Sequence, residues 1–139
     1  MGAYDRLILG PKAELEPLEV LTVVSKRFSV KEEDITQPRS NKNAKCDKFA
    51  FTRHFYVHVC SLAVKKAKMT ETQFHTKVMG AINRHRTCYY HSLREASNLM
   101  ATNEYYRAME TNIFNDIRKL INTKTKKQYA GSNVEAVSE

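Results

Sequence analysis

Tryptophan is absent from the chain, and glycine and proline are scarce, with four and three residues among 139. A fold rich in strands and tight turns needs more of both, and sustained alternation of polar and apolar residues is also missing. The 42% of hydrophobic residues is enough to fill one modest core. We therefore expect an all-α fold in a single compact helical domain.

The chain also lacks the features of an exported or membrane protein. Its apolar runs are short, and no signal peptide is recognisable. Cys46, Cys60 and Cys88 form an odd set without a C-x-x-C spacing, which fits unpaired thiols better than a disulfide framework or a zinc knuckle. The opening residues lack the Ser or Thr of an N-myristoylation signal. We therefore predict a cytoplasmic protein that does not contact membranes.

Acidic residues are almost missing from the middle of the chain. Between Thr36 and Arg94 there are 12 Lys and Arg but only two acids, a net charge of +10, whereas the whole chain carries +8. Basic charge confined to one region suits a surface that binds a polyanion, because counterion release from phosphates supplies most non-specific affinity for nucleic acids. The alternative is a basic surface that only keeps the protein soluble.

The first helix is predicted to begin at Pro17, a residue that suits the first helical position. Ser29 and Glu32 then have the spacing of a capping box, which predicts one short helical turn that buries Val30 and Ile35. The apolar positions of the first helix, at spacings of three and four, are Leu18, Leu21, Val24 and Phe28.

The segment from Thr36 to Lys48 is polar and basic, so we expect an exposed, mobile loop. A long helix is predicted after it, from about Asp47 to Lys68, and we place this helix at the centre of the core. Its apolar positions are Phe51, Phe55, Val59 and Leu62, and the basic residues of the loop are Arg39, Lys42, Lys45 and Lys48.

Thr70 and Gln73 form another capping-box pair, which starts a helix that ends at Gly80. After a turn at residues 81–83, a basic helix is predicted for residues 84–101. A helix, a short turn and a longer basic helix in succession are typical of a helix-turn-helix. The apolar side of the second helix is predicted at Tyr90, Leu93, Ala96 and Met100, and its polar stripe at Arg84, Thr87, His91 and Arg94.

Asn103 is the predicted N-cap of a last amphipathic helix, which we expect to end near residue 122. From Thr123 onward the sequence has no apolar period, so we predict that residues 123–139 form a flexible tail. The chain is thus divided into an N-terminal arm, residues 1–15, a helical domain, residues 16–122, and this tail.

The order of these elements resembles the C-terminal DNA-binding domain of the bacterial replication initiator DnaA, whose helix-turn-helix is similar to that of the Trp repressor. The segment Asn83–Arg94, NRHRTCYYHSLR, resembles the family signature G-R-D-H-T-T-V-L-H-A-x-R, and residues 24–35 resemble the family's opening helix and turn. The resemblance covers residues 17–121. A stand-alone domain of this kind is similar to small DNA-binding proteins of phages or mobile elements.

Four residues of the signature are kept and three differ at the end that would read bases. The kept residues favour the fold and DNA as the ligand, whereas the changed residues imply a different target sequence. The kept residues are Arg84, Thr87, His91 and Arg94, and the changed ones are His85 for aspartate, Arg86 for histidine and Cys88 for threonine.

The resemblance implies that helix 84–101 enters the major groove while loop 36–48 reaches the backbone and the adjacent minor groove. Recognition helices usually insert their N-terminal end, and Arg86 there has the donors for a bidentate contact with guanine. The predicted base-reading residues are Arg84, His85, Arg86, Thr87 and Cys88, and the predicted backbone or minor-groove contacts are Arg39, Lys42, Lys45, Lys48, Arg53, Lys77, His91 and Arg94.

We therefore expect a sequence-specific double-stranded DNA-binding protein in replication or transcription control, located at the nucleoid or, if a phage encodes it, in the host cytoplasm. The alternative is a protein-interaction module of the same fold that docks a replication protein. The chain has no P-loop, catalytic triad or paired carboxylates, so we expect neither an enzyme nor a cofactor or small-molecule substrate. His54 and His58 have a spacing that can hold a metal, but a second ligand pair is missing.

Overall fold

The structure is a computed structural model that describes residues 15–36, 47–66 and 68–132. Within these ranges the chain is helical and has no strands, so the all-α prediction is confirmed. The predicted arm lies outside the described residues except for Leu15, which is buried in the core. The helices are α1 (Pro17–Phe28), α2 (Glu32–Thr36), α3 (Asp47–Ala63), α4 (Glu71–Gly80), α5 (Tyr89–Thr102) and α6 (Glu104–Ser132).

Helix α3 is the centre of the domain, as its apolar pattern predicts. All five other helices pack against it. Six consecutive residues, from Phe55 to Cys60, are buried, which means that the helix is covered on every side along these turns. The helix ends at Ala63 instead of Lys68, and Leu62, predicted to be apolar core, is 38% exposed because it faces away from the packed helices.

Helix α1 ends in a left-handed residue, and this corrects the role predicted for Ser29. Ser29 has φ 57°, and the amides of Ser29 and Val30 donate to the carbonyls of Lys26 and Ser25. This is the geometry of a Schellman motif, so Ser29 closes α1 and does not cap α2. Glu32 instead accepts a hydrogen bond from Thr22.

The burial of the first two helices agrees with most of the predicted core. Leu21, Val24 and Ile35 are buried, whereas Leu18 is 60% exposed. Val20 is buried on the first turn of α1 instead of Leu18, because the side of the helix that carries residues 20, 21 and 24 faces α3.

The last helix is longer than predicted. Helix α6 continues to Ser132, ten residues past the predicted end of the domain at residue 122. Residues 123–130 lack an apolar period, but they contain neither proline nor glycine, so nothing interrupts the backbone hydrogen bonds of the helix. Lys124 holds this part of α6 to α1, because its Nζ lies 3.0 Å from a carboxylate oxygen of Glu19.

A buried polar pair joins α3 to α6. His58 Nε2 lies 2.6 Å from Glu110 Oε2, and both side chains are about nine-tenths buried. The rings of Phe55 and Phe114 pack edge-on against the imidazole of His58. Since a buried carboxylate needs such a partner, the pair fixes the register of α6 on α3.

No helix among the residues that the structure describes combines the length and the apolar composition needed to cross a bilayer.

Candidate nucleic-acid interface

Helix α4 begins with the capping box that its sequence predicts. The Gln73 amide donates to Thr70 Oγ1 over 3.1 Å, and the Thr70 amide donates to Gln73 Oε1 over 2.9 Å. This pair satisfies two of the amides that a helix start leaves without partners, and the prediction is confirmed. The box fixes the first residue of α4 and therefore the direction in which the helix approaches the following turn.

The turn after α4 is built around Asn83. This residue has φ 57°, and the amides of Asn83 and Arg84 donate to the carbonyls of Gly80 and Met79. After glycine, asparagine is the residue that most often takes this left-handed position at the end of a helix. The chain therefore changes direction at Asn83, three positions after Gly80.

The same asparagine ties the turn to the end of α2. Asn83 Nδ2 donates to the carbonyl of Thr36 over 2.9 Å. Arg53 of α3 donates to the neighbouring carbonyl of Ile35 over 3.5 Å. Thr36 is the last described residue before residues 37–46 of the predicted basic loop, and it lies beside the turn that precedes α5.

Residues 84–88 do not belong to the following α-helix, which corrects the predicted start of that helix. Arg84 Nη1 donates to the carbonyls of Ile82 and Asn83, so its guanidinium braces the turn. His85 caps a 3₁₀ turn at Arg86–Cys88, because its Nδ1 accepts the Thr87 amide over 3.2 Å. Helix α5 therefore begins at Tyr89 and not at Arg84.

The buried side of α5 differs from the predicted one. The buried positions are 89, 92, 96 and 100, and Ser92 is among them. Tyr90, predicted to lie on the apolar side, is 54% exposed. Leu93 is half-buried, whereas Ala96 and Met100 are buried as predicted.

The opposite side of α5 and the 3₁₀ turn form one polar surface, here called the exposed face. It carries cationic, amide and hydroxyl donors, and the single carboxylate on α5, that of Glu95, is half-buried beside it. Sequence reasoning missed Ser97 and Asn98, although their spacings of three and four from Arg94 place them on the same stripe. The members of the exposed face are Arg86, Thr87, Tyr90, His91, Arg94, Ser97 and Asn98.

The chain matches no known protein family, no characterised protein and no solved structure. We therefore infer a function from the residues of the exposed face and their surroundings.

An aromatic cluster holds α5 against α4 beneath one end of the exposed face. The Tyr89 ring stacks on His75 with centroids 3.8 Å apart and meets Phe74 edge-on at 6.0 Å. Lys66 Nζ lies 5.1 Å from the centroid of Phe74 on the outer side. Burial lowers the pKa of His75, so this imidazole is neutral at neutral pH and packs as an aromatic ring.

A second histidine contact lies further along α5. His54 Nδ1 is 3.1 Å from Ser92 Oγ, and its ring meets that of His91 edge-on with centroids 5.7 Å apart. Burial, together with the nearby His91 and Arg53, lowers the pKa of His54 to about 4. His54 is therefore a neutral bridge between α3 and α5, and His91 is the histidine that faces solvent.

We expect the free energy of unfolding to fall as the pH drops from about 6.5 to about 4. His54 has a pKa of about 4 in the folded protein, against an ordinary 6.5. The unfolded chain therefore binds more protons in this window, and the loss approaches about 2–3 kcal/mol at its lower end. Urea titrations at several pH values measure it.

The control for this pH effect is His54→Asn, which keeps a side-chain group near Ser92 but does not titrate. The pH slope of the variant should be shallower than that of the wild type between about pH 6.5 and about pH 4.5. Equal slopes in the two proteins would mean that His54 is protonated in the folded state.

The other predicted contact residues are distributed over the domain. Arg53 lies beside the end of α2, near the turn. Lys77 lies on α4, and its Nζ is 3.1 Å from Glu16 at the start of α1, so it contributes to an intramolecular ion pair. Cys88 is half-buried and packs against the core. The remaining predicted contacts, Arg39, Lys42, Lys45 and the side chain of Lys48, lie outside the described residues.

Proposed function

We propose that the protein is a sequence-specific double-stranded DNA-binding protein that places the exposed face in the major groove. The observation that supports this most directly is the composition of that face, which presents arginine, asparagine, histidine and hydroxyl side chains with almost no carboxylate. These are the side chains that donate to base edges and phosphates. An α-helix also has the width that the major groove admits.

The 3₁₀ turn is the part of this face best suited to read bases. Arg86 and Thr87 are exposed at the N-terminal end of α5, the end that recognition helices insert. An arginine there has two parallel donors for O6 and N7 of guanine. Arg84 and His85 contribute indirectly, because their hydrogen bonds to the backbone fix the conformation of the turn that presents Arg86.

Ser97 and Asn98 extend the reading surface along α5. Both are exposed in its C-terminal half, and Arg94 lies between them and the 3₁₀ turn. Asparagine pairs with N6 and N7 of adenine by two hydrogen bonds, whereas a serine hydroxyl bonds to base edges of several kinds or to a phosphate. Arg94 and His91 suit phosphates that flank the groove. Asn98 is therefore the residue of this pair that would select adenine.

The basic residues of the predicted loop supply the non-specific part of binding. Arg39, Lys42, Lys45 and Lys48 follow Thr36 in the sequence, and Thr36 lies next to the turn at Asn83. Phosphate contacts from this segment would set the register of the exposed face on the duplex. A basic segment beside the reading helix is also what the resemblance to the DnaA domain implies, and on that resemblance we propose a function in replication or transcription control.

The turn before α5 contains His85, one of the positions at which this chain differs from the DnaA signature. His85 stands where the signature has aspartate, yet its Nδ1 accepts the Thr87 amide as a capping carboxylate would. The substitution therefore preserves the local structure and removes a negative charge. Without that carboxylate the guanidinium of Arg86 has no ion-pair partner at position 85 and is left for a base, so the target sequence should differ from the one read by the family.

Arg86→Ala and Thr87→Ala are each expected to reduce the discrimination between the preferred duplex and unrelated duplexes by about 1–3 kcal/mol. Lys45→Ala should weaken binding to all duplexes alike and reduce the slope of log K against log salt by about one. The preferred duplex comes from selection out of a random pool, and fluorescence anisotropy at several salt concentrations measures both quantities.

Lys119→Ala is the control, because it removes one positive charge from an exposed position on α6 and should leave discrimination unchanged. The proposal fails if no duplex binds at low salt, or if all duplexes bind equally and at the strength that charge alone gives. In the second case, a partner protein that is retained after nuclease treatment would favour the protein-interaction module.

A further inference from the structure

Tyr90 is the one large aromatic residue on the exposed face, and its ring is held in place although it is 54% exposed. The ring meets His75 edge-on with centroids 5.0 Å apart and an angle of 86° between the planes. It meets Tyr89 in the same way at 5.3 Å and 83°. An exposed tyrosine with two such contacts has lost much of its rotational freedom before any ligand binds.

The polar end of Tyr90 lies near a negative charge of the protein itself. Desolvation first, and then the carboxylate of Glu71 at the start of α4, raise the pKa of the Tyr90 hydroxyl. A phosphate is a poor ligand for this hydroxyl, because the Glu71 carboxylate beside it repels the phosphate charge. What Tyr90 offers to a ligand is therefore its apolar ring.

The position of Tyr90 determines where this ring lies on the proposed complex. Tyr90 is one helical turn before Arg94 and two positions after the turn that carries Arg86. It shares the helix face of Arg94, and all three residues are exposed. The only apolar group that base pairs present in the major groove is the C5 methyl of thymine. A stacked duplex offers no unpaired base on which the ring could lie flat.

We propose that Tyr90 determines specificity by packing its ring against the methyl group of one thymine in the target duplex. The inference rests on the proposed function and adds to it one base position and one chemical group. Arg86 reads hydrogen-bonding groups, and Tyr90 reads a methyl group that makes no hydrogen bond. A change to the methyl group therefore tests the Tyr90 contact without altering the Arg86 contact, although the two residues are only four positions apart.

The test replaces each thymine of the selected duplex in turn by deoxyuridine, which removes only the methyl group. The wild type should lose about three- to fivefold in affinity at one position, the factor that burial of one methyl group gives. Tyr90→Ala should bind both forms of that position equally. Tyr90→Phe keeps the ring and should keep the wild-type preference for thymine.

Arg86→Ala serves as the matched control within the exposed face. It should lose discrimination at a guanine and keep the thymine preference at the position assigned to Tyr90. Tyr90→Gln, which has a similar reach but no ring, gives the same test as Tyr90→Ala if the alanine variant does not fold. Thermal unfolding of each variant shows whether the fold is intact.

Three results would overturn the inference while leaving DNA binding in place. The first is a wild type that is indifferent to deoxyuridine at every position. The second is a thymine preference that persists in both Tyr90→Ala and Tyr90→Gln, since another residue would then read the methyl group. The third is a preference for single-stranded over duplex DNA that is lost in Tyr90→Ala, because the ring would then stack on unpaired bases. Failure of all duplexes to bind specifically would instead overturn the proposed function.

Discussion

Glu110→Ala is expected to lower the free energy of unfolding by about 3–5 kcal/mol, because it removes one partner of a buried pair. Glu110 Oε2 lies 2.6 Å from His58 Nε2, and the two side chains are buried between α3 and α6. Alanine deprives the imidazole of its carboxylate acceptor and leaves a cavity beside Phe114. Urea-induced unfolding followed by circular dichroism at neutral pH measures the change.

Glu104→Ala is the control for this prediction. Its carboxylate is 3.9 Å from Arg107 and 91% exposed, so its loss should cost less than about 0.5 kcal/mol. The double variant His58→Leu and Glu110→Leu should recover most of the stability, because a buried polar pair can be replaced by apolar side chains of similar volume. If Glu110→Ala cost no more than Glu104→Ala, the pair would not be buried in solution.

Tyr89→Ala and Tyr90→Ala are expected to differ sharply although the two tyrosines are neighbours. Tyr89 is 3% exposed and stacks between His75 and Phe74, so its truncation should cost about 3–4 kcal/mol. Tyr90 is largely exposed, and its truncation should cost less than about 1 kcal/mol. Thermal and urea unfolding of the two variants give the comparison directly.

The same pair separates stability from binding. Tyr89→Ala should weaken binding to every duplex, because α5 loses its support on α4, whereas Tyr90→Ala should change only the response to thymine. The reverse order of stabilities, with Tyr90→Ala the more damaging, would mean that the buried side of α5 is the one that the sequence pattern predicts.

The two tyrosines show where sequence reasoning about this domain reached its limit. Positions 90, 93, 96 and 100 contain four apolar residues, whereas positions 89, 92, 96 and 100 contain a serine, so the pattern favoured the first set. The side that is buried is set by packing on the neighbouring helices, where Ser92 contacts His54 and Tyr89 stacks on His75. No apolar period reveals contacts of this kind.

The elements that could be predicted are those whose signals are local or strongly periodic. The capping box at Thr70 depends on two side chains three residues apart, and the central place of α3 follows from Phe55 and Val59 among other apolar residues. Ser29 and Glu32 have the same capping pattern, but Ser29 is in the left-handed conformation and its amide donates to Lys26 at the end of α1. That amide is therefore not bonded to the Glu32 side chain, as a capping box would require. Two mechanisms compete for one residue there, and spacing alone does not rank them.

Some residues of the exposed face were named from the sequence and others were not. Thr87, His91 and Arg94 of the predicted polar stripe, and the adjacent Arg86, are exposed in the structure. Arg84 departs from the stripe because it precedes the helix, and its guanidinium turns back to backbone carbonyls. Long-range contacts of this kind, like that of Asn83 with Thr36, depend on how the helices pack and have no counterpart in local sequence.

The uninterrupted burial of Phe55 to Cys60 also has a consequence for the order in which the chain folds during synthesis. When α3 is complete, α1 and α2 are the described helices that precede it, and the sides that α4, α5 and α6 cover are still open to water. Those sides stay exposed until residues as late as Ile117 can pack. At elongation rates of about 5–20 residues per second, this leaves an apolar helix exposed for seconds on the ribosome. The nascent chain is therefore a natural client for a chaperone that binds short apolar segments.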